Sequence, residues 1–201
     1  MPDLYLASKS PRRRELLEQI GVRFAVVDAE VVEEPCHQES AIAYVERLAR
    51  EKALAGFLAV QSMGLVPRPV LGSDTLVVCD DLILEKPRDA IHAAAMLRLL
   101  SGRSHQVLTA VALVDDTREQ LRTSATEVAF RPLDDAEIAA YWATGEPADK
   151  AGGYAIQGLG AVFVEQIRGS YSGVVGLPIE TIFPLLQAFG VPCWQQQEDA
   201  Q

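Results

Sequence analysis

The segment Ser8-Lys9-Ser10-Pro11-Arg12-Arg13-Arg14 places three arginines at the start of a predicted helix, where the positive end of the helix dipole repels them. A bound anion would offset that repulsion, because free backbone N–H groups, serine hydroxyls and guanidinium forks converge there as a phosphate chain requires. Solvated surface arginines balancing Glu15 and Glu18 are the alternative. A second signal is Asp74 in Leu71-Gly72-Ser73-Asp74-Thr75-Leu76-Val77, a carboxylate interrupting an apolar strand. Such a group needs a cation or metal beside it if buried; otherwise it ends a strand and caps a turn. Glu33 and Glu34 lie in an acidic loop whose default state is solvated. Brought up to Asp74, either would complete a carboxylate pair able to hold Mg²⁺ or Mn²⁺, hard ions that prefer carboxylate and phosphate oxygens. Lys52, on a long helix, and Lys86, in Glu85-Lys86-Pro87 behind an apolar run, are further cations for such a site; spacing alone also fits a solvated helix face and a hairpin end.

Other chemistries lack their residues. His37, His92 and His105 have no metal-ligand spacing, which disfavours zinc. No GxSxG, no GxxxxGK[ST] and no GxGxxG after a strand occurs, so serine hydrolase, P-loop and dinucleotide-binding readings have no footing.

The elements that must position these residues follow from periodicity. Leu4–Ala7 reads as a strand, followed by a helix with Ser10 at the N-cap, Pro11 at its first position and Gly21 past its end. Val22–Val27 reads as a strand, Asp28–Glu34 as a loop closed by Pro35, and Glu39–Gly56 as a helix burying Ile42, Val45, Leu48, Ala49 and Ala53. Gly64–Pro69 punctuates the chain and is a candidate lobe boundary. Strands are predicted at Val70–Val78, His105–Val114, Gln120–Phe130 and Ala161–Ile167, and helices at Asp89–Leu100, at Asp134–Thr144 and after Pro178. Glu146–Gly160 reads as a glycine-bearing loop whose backbone can approach a ligand, and Arg168–Leu177 as another loop. Alternating strands and helices followed by hairpin-like strands predict an α/β fold with a mixed sheet. Residues 1–194 read as one domain and 195–201 as a polar tail.

Composition sets the outer bounds. The 201 residues are 49% hydrophobic and 23% charged, with 18 basic against 28 acidic side chains and a formal net charge of −10. That balance argues against a nucleic-acid partner, which would need a basic face. No apolar run approaches the ~20 residues of a membrane span, and the N-terminal segment has the reverse of a signal peptide's charge order. Three well-separated cysteines outside any CxxC pairing predict a reducing, cytoplasmic setting.

Together the segments LASKSPRRRELL, EVVEEP, LAREKA, VLGSDTLVV, LEKPRDA, LSGRSHQVLTAVAL, GEPADKAGGYAIQGLGAVFVEQIRGSYSGVVGLP and the closing helix resemble the Maf family of nucleoside triphosphate pyrophosphatases, from Leu4 to about Leu186. The resemblance implies a mixed central sheet flanked by helices, with two lobes, an active-site cleft and an architecture related to inosine triphosphatase. It implies hydrolysis of the α–β phosphoanhydride to a monophosphate and pyrophosphate. Asp74 then resembles the family's general base or metal-organising carboxylate and Glu33 its second acid, the two serving as ligands of Mg²⁺ or Mn²⁺. Lys52 and Lys86 resemble its phosphate-contacting lysines, and Ser8, Arg12 and Arg13 match its phosphate-binding turn. Arg12, Thr75 and Gln157 are similar to the branch that takes dTTP and UTP. Lys9, where many members have a small residue, and Ala155, in place of a common glycine, depart from the pattern at positions with no named role. A homodimer and a link to septum formation and cell-division arrest are also implied. The alternatives are a non-catalytic nucleotide-binding regulator and a preference for CTP or 7-methyl-GTP.

Overall fold

The structure is a computed structural model that describes residues 1–195. Strand β1 (Leu4–Leu6), helix α1 (Pro11–Gln19), β2 (Phe24–Val26), α2 (Ala41–Ser62), β3 (Val70–Cys79) and β4 (Leu82–Leu84) follow in chain order. Then come α3 (Ala90–Leu100), β5 (Ser104–Val114), β6 (Glu119–Phe130), α4 (Asp135–Ala143), β7 (Val164–Arg168), α5 (Tyr171–Val175) and α6 (Ile179–Ala188). The strands form one sheet in the order β2-β1-β3-β5-β6-β7, with β4 on β3. β1 runs parallel to β2 and β3, whereas β3–β4 and β6–β7 are antiparallel. The fold is therefore α/β with a mixed sheet, as the alternation of elements predicts.

Two compact units divide the chain, the first comprising Met1–Asp74, Ala110–Thr123 and the segment from Gly176, the second Thr75–Thr109 and Ser124–Val175. Three of the four breaks fall within strands β3, β5 and β6, and the fourth follows α5. Gly64–Pro69, the boundary suggested by its punctuation, lies inside the first unit, where Leu65 N–H donates to the Val60 carbonyl and Tyr5 N–H to the Pro69 carbonyl.

In the first unit, parallel neighbours require crossover connections, and α1 and α2 supply them. Ser40 caps α2 by accepting from Ala43 N–H at 3.2 Å. The helix continues past Gly56, its expected end, to Ser62, because Gly56 is a contact rather than a terminator. A Cβ there would lie 2.8 Å from Ala7 Cβ and 2.9 Å from Val70 Cγ1. At Gly72 a Cβ would lie 2.2 Å from the Ala49 carbonyl oxygen and 2.4 Å from Ala53 N. Val70, Gly72 and Asp74 share one face of β3 because alternate residues do. The backbone of α2 thus rests on bare strand at Gly72, and Lys52, between those two alanines, comes level with Asp74. Ile42, expected on the buried face, is 52% exposed; it stands in the first turn of α2, ahead of the residues that pack on the sheet.

Ser10 occupies the N-cap position of α1 without a side-chain cap. Its own N–H donates instead to Ser8 Oγ at 3.2 Å. Gln195, counted with the tail on composition, donates from its backbone N–H to the Gly21 carbonyl and from Nε2 to Asp3 Oδ2 at 2.9 Å. Residues 196–201 lie outside the described residues.

The core of the second unit gathers Val77, Leu84, Leu97, Leu100, Val128, Phe130, Tyr141 and Tyr154. Asp89 caps α3, and a reciprocal Asp134–Glu137 capping box starts α4. Part of the expected glycine-bearing loop winds into 3-10 turns at Glu146–Asp149 and Ala151–Gly153. Another such turn at Leu159–Phe163 delays β7 to Val164, and α5 occupies the middle of the expected loop at Arg168–Leu177. Among the described residues no helix is long and apolar enough to cross a membrane, and all three cysteines are free thiols.

Two predictions follow from packing. Gly72→Ala forces backbone against backbone, so it lowers stability by about 1–3 kcal/mol or more in urea unfolding, and an unchanged midpoint would refute the contact. His105, buried beside Phe130 with Nε2 2.8 Å from Tyr154 OH, has its pKa pulled down by burial from 6.5 to about 4. The unfolded chain binds this proton more readily, so the group's contribution is complete above pH 6.5 and is lost on acidification toward pH 4, at a cost of about 3 kcal/mol. Urea midpoints measured across that window fall less steeply in His105→Gln than in the parent.

Candidate active site

Lys52 is the centre of the first unit's polar cluster. Its Nζ lies 2.6 Å from Asp74 Oδ1 and 2.6 Å from Glu33 Oε1. Lys52 and Asp74 are each only 8% exposed, whereas Glu33 is open on one side. Burying a lone charge is prohibitive, so Lys52 and Asp74 account for each other's burial. The acid that reaches Lys52 is Glu33. Glu34 contributes its backbone carbonyl, which accepts from Arg47 Nη2 at 2.9 Å.

That last bond shows how the acidic loop is held. Arg47, on α2, donates from Nε and Nη2 to the two Glu39 oxygens at 2.7 and 2.8 Å and pairs with Glu51 at 3.2 Å. Glu39 also accepts from Cys36 N–H at 3.0 Å. The Arg47 bonds, helped by the Cys36 N–H, hold the Glu39 carboxyl down to about 2, and Arg47 is pushed up by the same contacts. The loop carrying Glu33 is thereby fastened to the helix carrying Lys52. Sequence reading missed Arg47; an arginine one turn N-terminal to Glu51 and two turns C-terminal to Glu39 was the available signal.

Arg13 comes to the same cluster from α1. Its Nε donates to the Gly176 carbonyl at 2.9 Å and its Nη1 to Ser8 Oγ at 3.1 Å. Burial lowers its pKa, and Asp74 and Glu33 counter this while Arg12 adds to it, which places all four charges within electrostatic reach of one another. Ser73 Oγ donates to that Gly176 carbonyl at 3.1 Å. One carbonyl thus orients an arginine and the strand residue next to Asp74. Gly176 and Ser73 were absent from the predicted site, although polar Ser73 in an apolar run was conspicuous. Arg14 turns outward to the Lys9 carbonyl, and Lys9 pairs with Asp28 at 2.9 Å.

The remaining predicted residues belong to the second unit. Thr75 Oγ1 lies 3.1 Å from Thr109 Oγ1, whose single proton is engaged by the Gly173 carbonyl at 2.7 Å. Lys86 is exposed directly after β4, and Gln157 is exposed in the turn before Leu159. The structure therefore gathers Ser8, Arg12, Arg13, Glu33, Lys52 and Asp74 in one unit, and carries Thr75, Lys86 and Gln157 on the other.

Among the described residues no group of three or more His, Cys, Asp or Glu side chains could hold a metal ion. The nearest donor set is the Asp74–Glu33 pair, of which Asp74 Oδ1 and Glu33 Oε1 are already engaged by Lys52 Nζ. Two carboxylates suit a hard divalent cation completed by water and phosphate oxygens, and do not suit zinc.

Cations gathered around two converging carboxylates on an α/β sheet define a protein built to handle a polyanion. The comparisons narrow this. A family model described as Maf-like protein matches residues 3–189, and the chain belongs to that family. It is 56% identical over 195 residues to the dTTP/UTP pyrophosphatase of Saccharophagus degradans, covering 96% of this chain and 91% of the relative. It is 54% identical to that of Aromatoleum aromaticum, covering 94% and 96%, and 56% identical to that of Salmonella typhimurium, covering 94% of each.

If Lys52 and Asp74 act as one buried unit, Lys52→Met strands a carboxylate and destabilises by about 3–5 kcal/mol. Asp74→Asn added to it restores part of that loss. A double-mutant cycle in urea is expected to give a coupling of about 1 kcal/mol or more, and strictly additive costs would disprove the unit.

Proposed function

We propose that this protein is an enzyme hydrolysing dTTP and UTP to the monophosphate and pyrophosphate. The observation that carries the reading is the Lys52 ammonium held 2.6 Å from both Asp74 and Glu33, with Arg13 within electrostatic reach of the same carboxylates. Full-length relatives at 54–56% identity that are named dTTP/UTP pyrophosphatase support the substrate class.

Cleaving a phosphoanhydride needs a water in line with the bond to be broken, a base for its proton and positive charge for the oxygens that gain charge. In our reading Asp74 and Glu33 orient that water, Asp74 takes its proton as the water oxygen bonds to the α-phosphorus, and the bond from the α-phosphorus to the bridging oxygen breaks to release pyrophosphate. Lys52 fixes the two carboxylates. Arg12, Arg13 and Lys86 neutralise the triphosphate, and the Ser8 hydroxyl assists them. Asp74 and Glu33 would also hold Mg²⁺ or Mn²⁺, which when bound neutralises phosphate charge and acidifies water. Gln157 reads the pyrimidine edge, because an amide both donates and accepts, and Thr75 lies in the substrate-binding set. The thymine methyl is a weak discriminator worth about 1–3 kcal/mol, so dTTP and UTP are both accepted.

A homodimer belongs to the same proposal and rests on family resemblance. A cytoplasmic setting rests on the unpaired cysteines, and a link to cell division on the resemblance again. The regulator reading predicts a missing carboxylate or lysine; Asp74, Glu33, Lys52 and Lys86 are all present.

Pyrophosphate release is measured from dTTP, UTP, CTP, dCTP, ATP, GTP and 7-methyl-GTP with Mg²⁺ or Mn²⁺. Turnover of dTTP and UTP that falls by about 100-fold or more in Asp74→Asn is the expected result. Activity of the variant within about tenfold of the parent overturns the assignment of Asp74, and tight binding without turnover of any nucleotide replaces the enzyme by the regulator.

A further inference from the structure

A carboxylate–phenol pair in the second unit, its tyrosine buried and its glutamate half-buried, has no part in the chemistry above. Glu146 follows α4 and Tyr141 lies within it. Glu146 Oε1 accepts from Tyr141 OH at 2.7 Å and from Gly160 N–H at 3.0 Å, and Oε2 accepts from Leu159 N–H at 3.0 Å. Tyr141 OH in turn accepts from Ala155 N–H at 3.0 Å. Three backbone N–H groups of residues 155–160 are thus satisfied by two side chains from outside the segment. Gly158 completes the fit, since a Cβ there would lie 2.1 Å from Glu146 Oε2. Burial alone would raise the Glu146 carboxyl, yet the hydrogen bonds from Tyr141, Leu159 and Gly160 more than offset it and the group lies below its ordinary value.

Gln157 sits between these attachment points. We propose that Glu146, through Tyr141, is the positioning residue that holds the Gln157 turn and so sets base selectivity, an inference that rests on the pyrimidine reading of Gln157. A carboxylate is required because both oxygens accept, and Tyr141 OH then points its proton at one of them. Glutamine offers one acceptor oxygen and turns an NH₂ toward a backbone N–H. Affinity for a base depends on donor and acceptor placement, and a site built to hydrogen-bond its substrate loses discrimination when those groups drift.

The test compares Glu146→Gln, Tyr141→Phe and Gly158→Ala with the parent in kcat and KM for dTTP, UTP and dCTP, alongside amide hydrogen exchange at residues 155–160. Gly158→Ala keeps both anchor side chains and only displaces the carboxylate, so it serves if either of the others folds poorly. The expected result is faster exchange confined to this segment, KM for dTTP raised by about tenfold or more with kcat within about threefold, and a preference for dTTP over dCTP reduced by a similar factor. A purely structural anchor would leave that preference unchanged. Unchanged KM and preference in a parent that turns over dTTP overturn the inference alone, whereas a parent that turns over no pyrimidine nucleotide overturns the proposed function and this assignment with it.

Discussion

A lysine buried against two carboxylates depends on how closely a helix can approach a strand. Taking an ammonium and a carboxylate out of water costs several kcal/mol per ion, and only close, well-directed contact repays it. Here that contact is made by what is missing: Gly72 has no side chain, so Ala49 and Ala53 bring the α2 backbone onto β3. Had a side chain stood at Gly72, α2 would lie farther out and Lys52 would no longer be set 2.6 Å from Asp74. Gly56 plays the same part lower on the helix against Ala7 and Val70. The catalytic proposal therefore rests on packing before it rests on charge.

Around that pair, backbone carbonyls and arginines do the positioning. The Gly176 carbonyl takes Arg13 Nε and Ser73 Oγ, and the Glu34 carbonyl takes Arg47. The guanidinium suits this because its donors lie in a fixed plane and can serve a carboxylate and a carbonyl at once. Glu33 is consequently held by a contact to its neighbour's main chain, which leaves its own carboxylate to meet Lys52. The second unit uses the inverse device, a carboxylate serving backbone N–H groups of the Gln157 turn.

Sequence patterns carried the elements with strong periodicity or clear caps. Asp89 before α3, Asp134 before α4 and the long strands β5 and β6 fall within a residue or two of expectation. Failures came where tertiary contact overrode a local rule. Gly56 reads as a helix terminator and is a packing residue; Ser10 reads as a cap, yet its hydroxyl caps nothing and Ser8 accepts its N–H. The short α5 and the 3-10 turns have no periodicity long enough to register. Within the site, Asp74 was legible because a carboxylate in an apolar strand demands a partner, whereas the resemblance offered Lys52 only as a phosphate-contacting lysine and its pairing with Asp74 was not legible, since on spacing it is one more charged helix residue. Gly176 was illegible for a different reason. Its contribution is a main-chain carbonyl, which no residue type advertises.

The three arginines of α1 show how far the dipole argument reaches. By helix position alone they are equivalent cations in an unfavourable place, with a bound anion as the remedy. The structure makes them unlike: Arg14 turns to an exposed carbonyl, while Arg13 is fixed by Gly176 and Ser8 with Asp74 and Glu33 close enough to counter part of the effect of its burial. Part of the repulsion is therefore relieved inside the protein, by the carboxylates proposed to direct the water. An arginine already set in place loses little freedom when a phosphate arrives. Its attraction to those carboxylates holds it ready without neutralising the cluster, because Lys52 shares the same two acids and Arg12 adds a further cation. The arrangement is a site whose acids are locked by cations and whose cations exceed its acids, which is the electrostatic condition for binding a triphosphate next to a carboxylate base.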